Sequence, residues 1–168
     1  RLMLVCSMKP CKCEWYGHPS DRCKCSGSDV VRYHGKLPGP LIARIDLNTE
    51  VPPLDFDELS GKHGGEPSSE IRARVNEARQ VQSERFGPDG PACNAGMSQA
   101  ELQQCCQLDA ASQALLRGAY ETMGLTARSY DRILRLARTI ADLDHAEGIT
   151  THHVAEAIPY RPPEYLRR

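Results

Sequence analysis

The stretch that most limits what this chain can fold into is Leu125–Leu143, LTARSYDRILRLARTIADL. Stepping 100° per residue, Ile133, Leu134, Leu136, Ala137, Ile140, Ala141 and Leu143 share one broad face, which predicts a single amphipathic helix. Thr126 is placed to cap its start, and Gly124 closes whatever precedes it. Arg128, Arg132 and Arg135 stack on the other side at spacings of four and three, with Arg138 beside them. One face is therefore core and the other a guanidinium stripe, and a solvated basic face is the plain reading of that stripe. Arg128 fits it least. It lies in the first turn, where the helix dipole disfavours a cation by about 0.3–1 kcal/mol. An arginine there is best explained by an anion held between it and the helix N-terminus, with phosphate the usual choice.

The rest of the composition narrows the class. A chain of 168 residues is enough for one domain or two small ones. With 21 basic and 22 acidic side chains, the whole chain carries no electrostatic footprint for nucleic acid. Aromatics make up only 5%, so the core is aliphatic and helix-favouring. No apolar run reaches the length of a membrane span, and Leu2–Cys6 is too short for a signal peptide. The chain opens on Arg1 and then on an apolar run, which leads to the expectation that an N-terminal portion precedes it.

Four of the eight cysteines crowd into Cys11–Cys25, CKCEWYGHPSDRCKC. Gly17, Pro19, Ser20 and Asp21 fold this loop back and bring the two C-x-C pairs together, giving four thiolates for a tetrahedral zinc site. Such crowding suits a metal in the reducing cytoplasm better than a secreted disulfide framework, with disulfides or free thiols as the alternatives. His18 could replace one sulfur, or lie exposed. Closing the loop on metal would order a segment with little core of its own.

In chain order, Leu2–Cys6 reads as a buried strand and Ser28–Gly35 as a short helix capped by Ser28. Lys36–Pro40 reads as a tight turn and Ile45–Val51 as a period-two strand ended by Pro52 and Pro53. A turn of helix is expected around Phe56–Leu59, then a long helix over Pro67–Phe86 and a linker, Gly87–Gly96. Further helices are expected at Ser98–Gln107, with Ser98 and Glu101 as a capping box, at Asp109–Met123, and at Thr151–Ile158 with a threonine cap. Of Cys105 and Cys106, at least one reads as a small buried hydrophobe, and His152 and His153 read as exposed.

These pieces, in this order, resemble the end of the AAA+ module in magnesium-chelatase-like ATPases of the ComM/YifB type. The resemblance is carried by LMLVCSMKPCKCEWYGHPSDRCKC, by LPGPLIARIDLNTEVP, by GEPSSEIRARVNEARQVQSERFG, by NAGMS, by LTARSYDRILRLARTIADL and by HHVAEAIPYR. It implies an α/β plus α fold: the last strands of a P-loop core with a zinc loop over residues 1–53, a connecting segment over 54–97, and a helical lid over 98–168. By position, Arg44 in LIARIDL is similar to the arginine finger, Arg128 to sensor 2, and Lys9 occupies the sensor 1 position. It further implies a homo-oligomeric ring, a hexamer, using ATP and Mg2+ together with Zn2+ bound by Cys11, Cys13, Cys23 and Cys25. It implies work in DNA processing or recombination linked to competence.

The chain also departs from the family pattern. Lys9 in MKPCKCE stands where the family has asparagine, and Ala43 where it has aspartate. There is no G-x-x-x-x-G-K-[ST] and no acidic strand end suited to magnesium, so this chain alone is expected to be inactive as an ATPase. Two other readings stand beside the first. One is the ATPase subunit of a true magnesium chelatase, against which the cysteine loop argues. The other is a non-enzymatic, zinc-stabilised nucleic-acid-binding module, favoured by Lys12, Arg22 and Lys24 within the cysteine loop.

Overall fold

A computed structural model of the chain describes residues 3–42, 44–54, 56, 60 and 65–162. It divides into two compact units, Arg1–Leu54 with Pro162–Arg168, and Asp55–Arg161.

The first unit is small. Ser26 caps helix α1, Gly27–His34, in a capping box with Asp29: each residue's side chain takes the other's backbone N–H, at 3.2 and 3.1 Å. The cap is thus two residues earlier than Ser28, because only Ser26 has an acidic residue three positions on. A second short helix, α2 (Gly39–Ile42), begins inside the expected Lys36–Pro40 turn. Cys11, Val30, His34 and Ile42 are the buried residues around which this unit closes. His34 Nε2 donates to the Pro10 carbonyl at 2.8 Å and so ties α1 to the start of the cysteine loop.

The two expected strands do not form. Residues 3–6 and 45–51 are irregular, and Met3, Leu4 and Val5 are 83%, 63% and 81% exposed. Leu47 and Val51 are likewise exposed. A strand is held by ladder bonds to a neighbour, and among the described residues no other strand lies beside either segment. The expected turn around Phe56–Leu59 falls mostly outside the described residues, as does Leu2.

The second unit is helical and holds the main core. Helix α3, Ser68–Phe86, ends at Gly87 with φ 67°. A 3-10 turn over Asn94–Gly96 precedes α4, Gln99–Cys105, whose Ser98–Glu101 capping box is present as expected. Asp109 caps α5, Ala110–Met123, and Gly124 ends it in the left-handed region at φ 58°. Thr126 then caps α6, Ala127–Leu143, by accepting from the Ser129 N–H. Last come α7, Thr151–Ala157, and a 3-10 turn over Ile158–Tyr160. Helix α6 is the spine, with α3, α4, α7 and the Asn94 turn packed on it. Leu102, Leu116, Ile133, Leu134, Ala137, Ile140, Ala141, Val154 and Ala157 fill the space between. Among the described residues no helix is long and apolar enough to cross a membrane.

The arginine face of α6 differs from the expected solvated stripe. Arg138 is buried, and its Nε donates to Asp142, also buried, at 3.0 Å. Its other nitrogens donate to the Ala146 and Glu147 carbonyls at 2.6 and 2.7 Å, stitching α6 to the loop before α7. Arg135 donates to the Met97 carbonyl at 3.0 Å. A helix packed on several sides has room for a buried charge on its flank only when that charge is partnered, and all three Arg138 nitrogens are, whereas Arg135 keeps a buried Nε without a hydrogen-bond partner among the described residues. His153 is also buried rather than exposed. Its Nδ1 accepts the Thr150 N–H at 3.0 Å, and Nε2 stands 3.3 Å from Asp144. A histidine at the third helical position can do the capping work of a glutamate, and here it does. His152 is exposed as expected. Cys106 is the buried member of the Cys105–Cys106 pair, and burial pushes its thiol up to about 11.

Candidate metal centre and arginine sites

The cysteine loop folds through a series of tight turns. The Glu14 N–H donates to the Cys11 carbonyl at 3.1 Å and the His18 N–H to the Trp15 carbonyl at 3.1 Å. Gly17, at φ 80°, supplies the reversal, and Asp21, at φ 53°, is a residue type that tolerates that region. The return leg runs from Cys25 directly into the Ser26 cap of α1. Lys12 reaches Asp29 on α1 at 3.4 Å, and that carboxyl is held down at about 2 by its hydrogen bonds from Ser26 and then by Lys12.

All four cysteine sulfurs converge. Sγ–Sγ distances are 3.3 Å for Cys11–Cys13, 3.9 Å for Cys11–Cys23, 3.6 Å for Cys13–Cys23 and 3.4 Å for Cys13–Cys25, and all four sulfurs lie within 4.8 Å of one another. A tetrahedron with Zn–S of about 2.3 Å has edges of about 3.8 Å, so the quartet matches a zinc sphere. The distances are far beyond the roughly 2.05 Å of a disulfide. The electrostatics agree. The Trp15 backbone N–H, then Cys11, lower the Cys13 thiol to about 6, while hydrogen bonding to Cys13 and burial push Cys25 up to about 12. Protons alone leave this cluster with one favoured thiolate and reluctant neighbours. A divalent ion would take the place of those protons and hold four thiolates. Zinc held by Cys11, Cys13, Cys23 and Cys25 would supply structure, since no position is left open for chemistry. His18 is turned to other work: its Nδ1 accepts the Ser20 N–H at 3.0 Å and meets the Ser20 hydroxyl at 2.6 Å.

The three residues singled out by resemblance are placed as follows. Lys9 is exposed and ion-paired with Glu14. Arg44 follows α2, is exposed, and donates from Nη1 to the Pro40 carbonyl at 3.1 Å. Arg128 is exposed in the first turn of α6 and has no hydrogen bond or ion pair among the described residues. Lys9 and Arg44 belong to the first unit and Arg128 to the second.

Sequence reasoning missed a second polar centre. Asp142, 1% exposed, accepts from Arg85 of α3 at 2.9 Å and, through a second oxygen, at closer range. It also accepts from Arg138 and from the Asn94 amide, the latter at 2.7 Å. Asn94 in turn accepts from Arg85 at 3.0 Å, donates to Thr139 at 3.1 Å and gives its backbone N–H to Gln82 at 3.1 Å. The available signal was Asp142 four residues after Arg138, an i,i+4 acid–base pair on the arginine side of the α6 sequence.

In chain order, a four-cysteine knuckle precedes a helical unit built on one arginine-bearing spine. Residues 65–161 match the family described as "Magnesium chelatase, subunit ChlI C-terminal", and residues 1–59 match "Magnesium chelatase, subunit ChlI". The chain belongs to the magnesium chelatase subunit ChlI family. Among individual relatives, it is 36% identical to the competence protein ComM of Haemophilus influenzae over 162 residues, 96% of this chain and 31% of that protein. It is 35% identical to YifB of Escherichia coli over 167 residues, 99% of this chain and 32% of YifB. It is also 35% identical to Rv2897c of Mycobacterium tuberculosis over 161 residues. The chain thus spans about a third of the length of these curated relatives.

Proposed function

We propose that this chain is the C-terminal part of a ring-forming, magnesium-chelatase-like AAA+ ATPase, with Arg44 as arginine finger and Arg128 as sensor 2. The observation that carries the reading is Arg128: an exposed guanidinium without a partner among the described residues, in the first turn of a capped helix whose dipole opposes it. Phosphate satisfies both the cation and the N-terminal N–H groups. Family membership supplies the nucleotide, ATP with Mg2+, and the ring, a hexamer in this reading. Arg44 is exposed and, among the described residues, held near the α2 turn by one carbonyl contact, which suits a side chain that leaves to meet a neighbouring subunit's γ-phosphate. Lys9, at the sensor 1 position, is engaged by Glu14 and contributes less. Zinc holds the knuckle. The relative named a competence protein extends the reading to DNA processing or recombination in the cytoplasm.

The test uses the longer protein that carries a phosphate loop. Arg128→Ala should weaken nucleotide binding or uncouple it from the helical unit. Arg44→Ala should leave binding nearly intact and lower turnover. A subunit disabled in its phosphate loop but keeping Arg44 should restore turnover to an Arg44→Ala subunit in mixed rings. Assembled mixed rings without any recovery would refute a finger acting in trans.

A further inference from the structure

We propose that the metal loop, with Arg22 stacked on Trp15 and with Tyr16 and Lys24 beside them in the chain, is a platform for single-stranded DNA. The choice of DNA over other single strands rests on the function proposed above; the platform itself rests on the loop.

Trp15 is the chain's one tryptophan. In a unit this small, so large an apolar side chain would be expected to fill the core. Yet among the described residues the buried apolar ones of this unit are Cys11, Val30 and Ile42, and Trp15 stays partly exposed on the loop. It is held rigid there. The Arg22 guanidinium carbon sits 4.9 Å from its ring centroid, and the His18 ring meets it edge-on at 4.8 Å and 81°. His18 is itself fixed by Ser20. Tyr16, next in the chain, is 44% exposed. An aromatic surface with a stacked guanidinium offers flat faces to unpaired bases, which stack on such groups regardless of their identity.

The charges point the same way and set a limit. Glu14 is taken up by Lys9 and Asp29 by Lys12, so those pairs cancel. Arg22 and Lys24 remain without an ion-pair partner among the described residues and can meet phosphates, offset by one acid likewise without an ion pair, Asp21. Zinc with four thiolates carries a net charge of about −2, which weakens any long-range attraction. Two phosphate contacts imply a log K against log salt slope of only about −1.4. The affinity must therefore come chiefly from stacking, which separates this platform from a merely basic surface.

The single tryptophan makes the test direct. The zinc-loaded chain is titrated with short oligothymidylate while its fluorescence is followed. Saturable quenching is expected, because only Trp15 emits as an indole. Labelled oligothymidylate, followed by anisotropy, should bind Trp15→Leu roughly 5- to 150-fold more weakly at unchanged zinc content, and Trp15→Phe should recover most of the loss. If Trp15→Leu loses its zinc, Arg22→Ala with Lys24→Ala becomes the measure and should reduce the salt slope to near zero. Binding without quenching, or a Trp15→Leu variant that binds as the wild type, overturns the proposal. So does equal or tighter binding of oligouridylate or of duplex DNA. Mixed-ring recovery through Arg44 does not pass through Trp15, so failure here leaves the ATPase reading to its own test.

Discussion

Replacing Asp142 by alanine is expected to destabilise the helical unit by several kcal/mol, a large part of the stability of a domain this size. Asp142 receives four donor groups from three other residues, Arg85, Arg138 and Asn94. Removing it strands Arg138, whose side chain is 4% exposed, as a buried charge. Breaking a buried pair from one side costs about 3–5 kcal/mol. Two facts trim that figure: Arg138 keeps the Ala146 and Glu147 carbonyls, and Arg85 is 19% exposed and can regain water. About 3 kcal/mol is the working value, and for a unit of this size it lowers Tm by roughly 12–24 °C. Asp142→Asn keeps the shape and loses the charge, so its cost should be smaller but still above about 1.5 kcal/mol. The sign with pH is also defined. Burial alone would raise the Asp142 carboxyl, but hydrogen bonds from Arg85 and Asn94 and the charge of Arg138 outweigh it and hold the carboxyl below its ordinary value. A group depressed in the folded state stabilises fully above its unfolded pKa of about 4 and loses that contribution as pH falls through its folded value. Urea melts followed by circular dichroism at neutral and acid pH measure both. The reasoning fails if Asp142→Ala lies within about 1 kcal/mol of the wild type, or if Asp142→Asn and the wild type lose stability alike below about pH 4.

Other outcomes are equally specific. The purified chain should carry about one zinc, lost on replacing Cys13 or Cys25 and retained on replacing Cys93, Cys105 or Cys106, as read by elemental analysis. Gly124→Ala should destabilise by about 1 kcal/mol because Gly124 sits at φ 58°, whereas Gly118→Ala, in open space within α5, should stabilise by about 0.5–1 kcal/mol; paired thermal melts compare them. The 168 residues alone should show no ATP turnover in a phosphate-release assay, since no phosphate-cradling loop is present.

What could be read from the sequence was what is decided locally. Helix caps lie within three or four residues of their partners, so Ser98 with Glu101, Asp109, Thr126 and Gly124 were all legible. The convergence of the C-x-C pairs was legible for the same reason, because the Gly17 reversal lies between them. The strands were not, since alternation says only that a segment could pair and never that a partner is at hand. Nor were the buried ions: Arg85 and Asp142 are 57 residues apart, and nothing in either neighbourhood names the other. The segment Gly87–Gly96 misled for a related reason. Its glycines and prolines look like a boundary, yet it delivers Asn94 into the most polar part of the core.

Helix α3 is anchored at one end only. Ala78, Gln82 and Arg85 fasten its second half to the helical unit, while every residue from Ser68 to Glu77 is exposed. At about 1.5 Å per residue, the stretch from Ala78 back to Ser68 is a rigid arm about 15 Å long. A tilt of about 10° at the Asp142 anchorage, about 25 Å along the helix from Ser68, would swing its tip by about 4 Å, enough to make or break a side-chain contact. Small repacking beside α6 is thereby geared up into displacement at Ser68, with leverage set by where Arg85 is clamped.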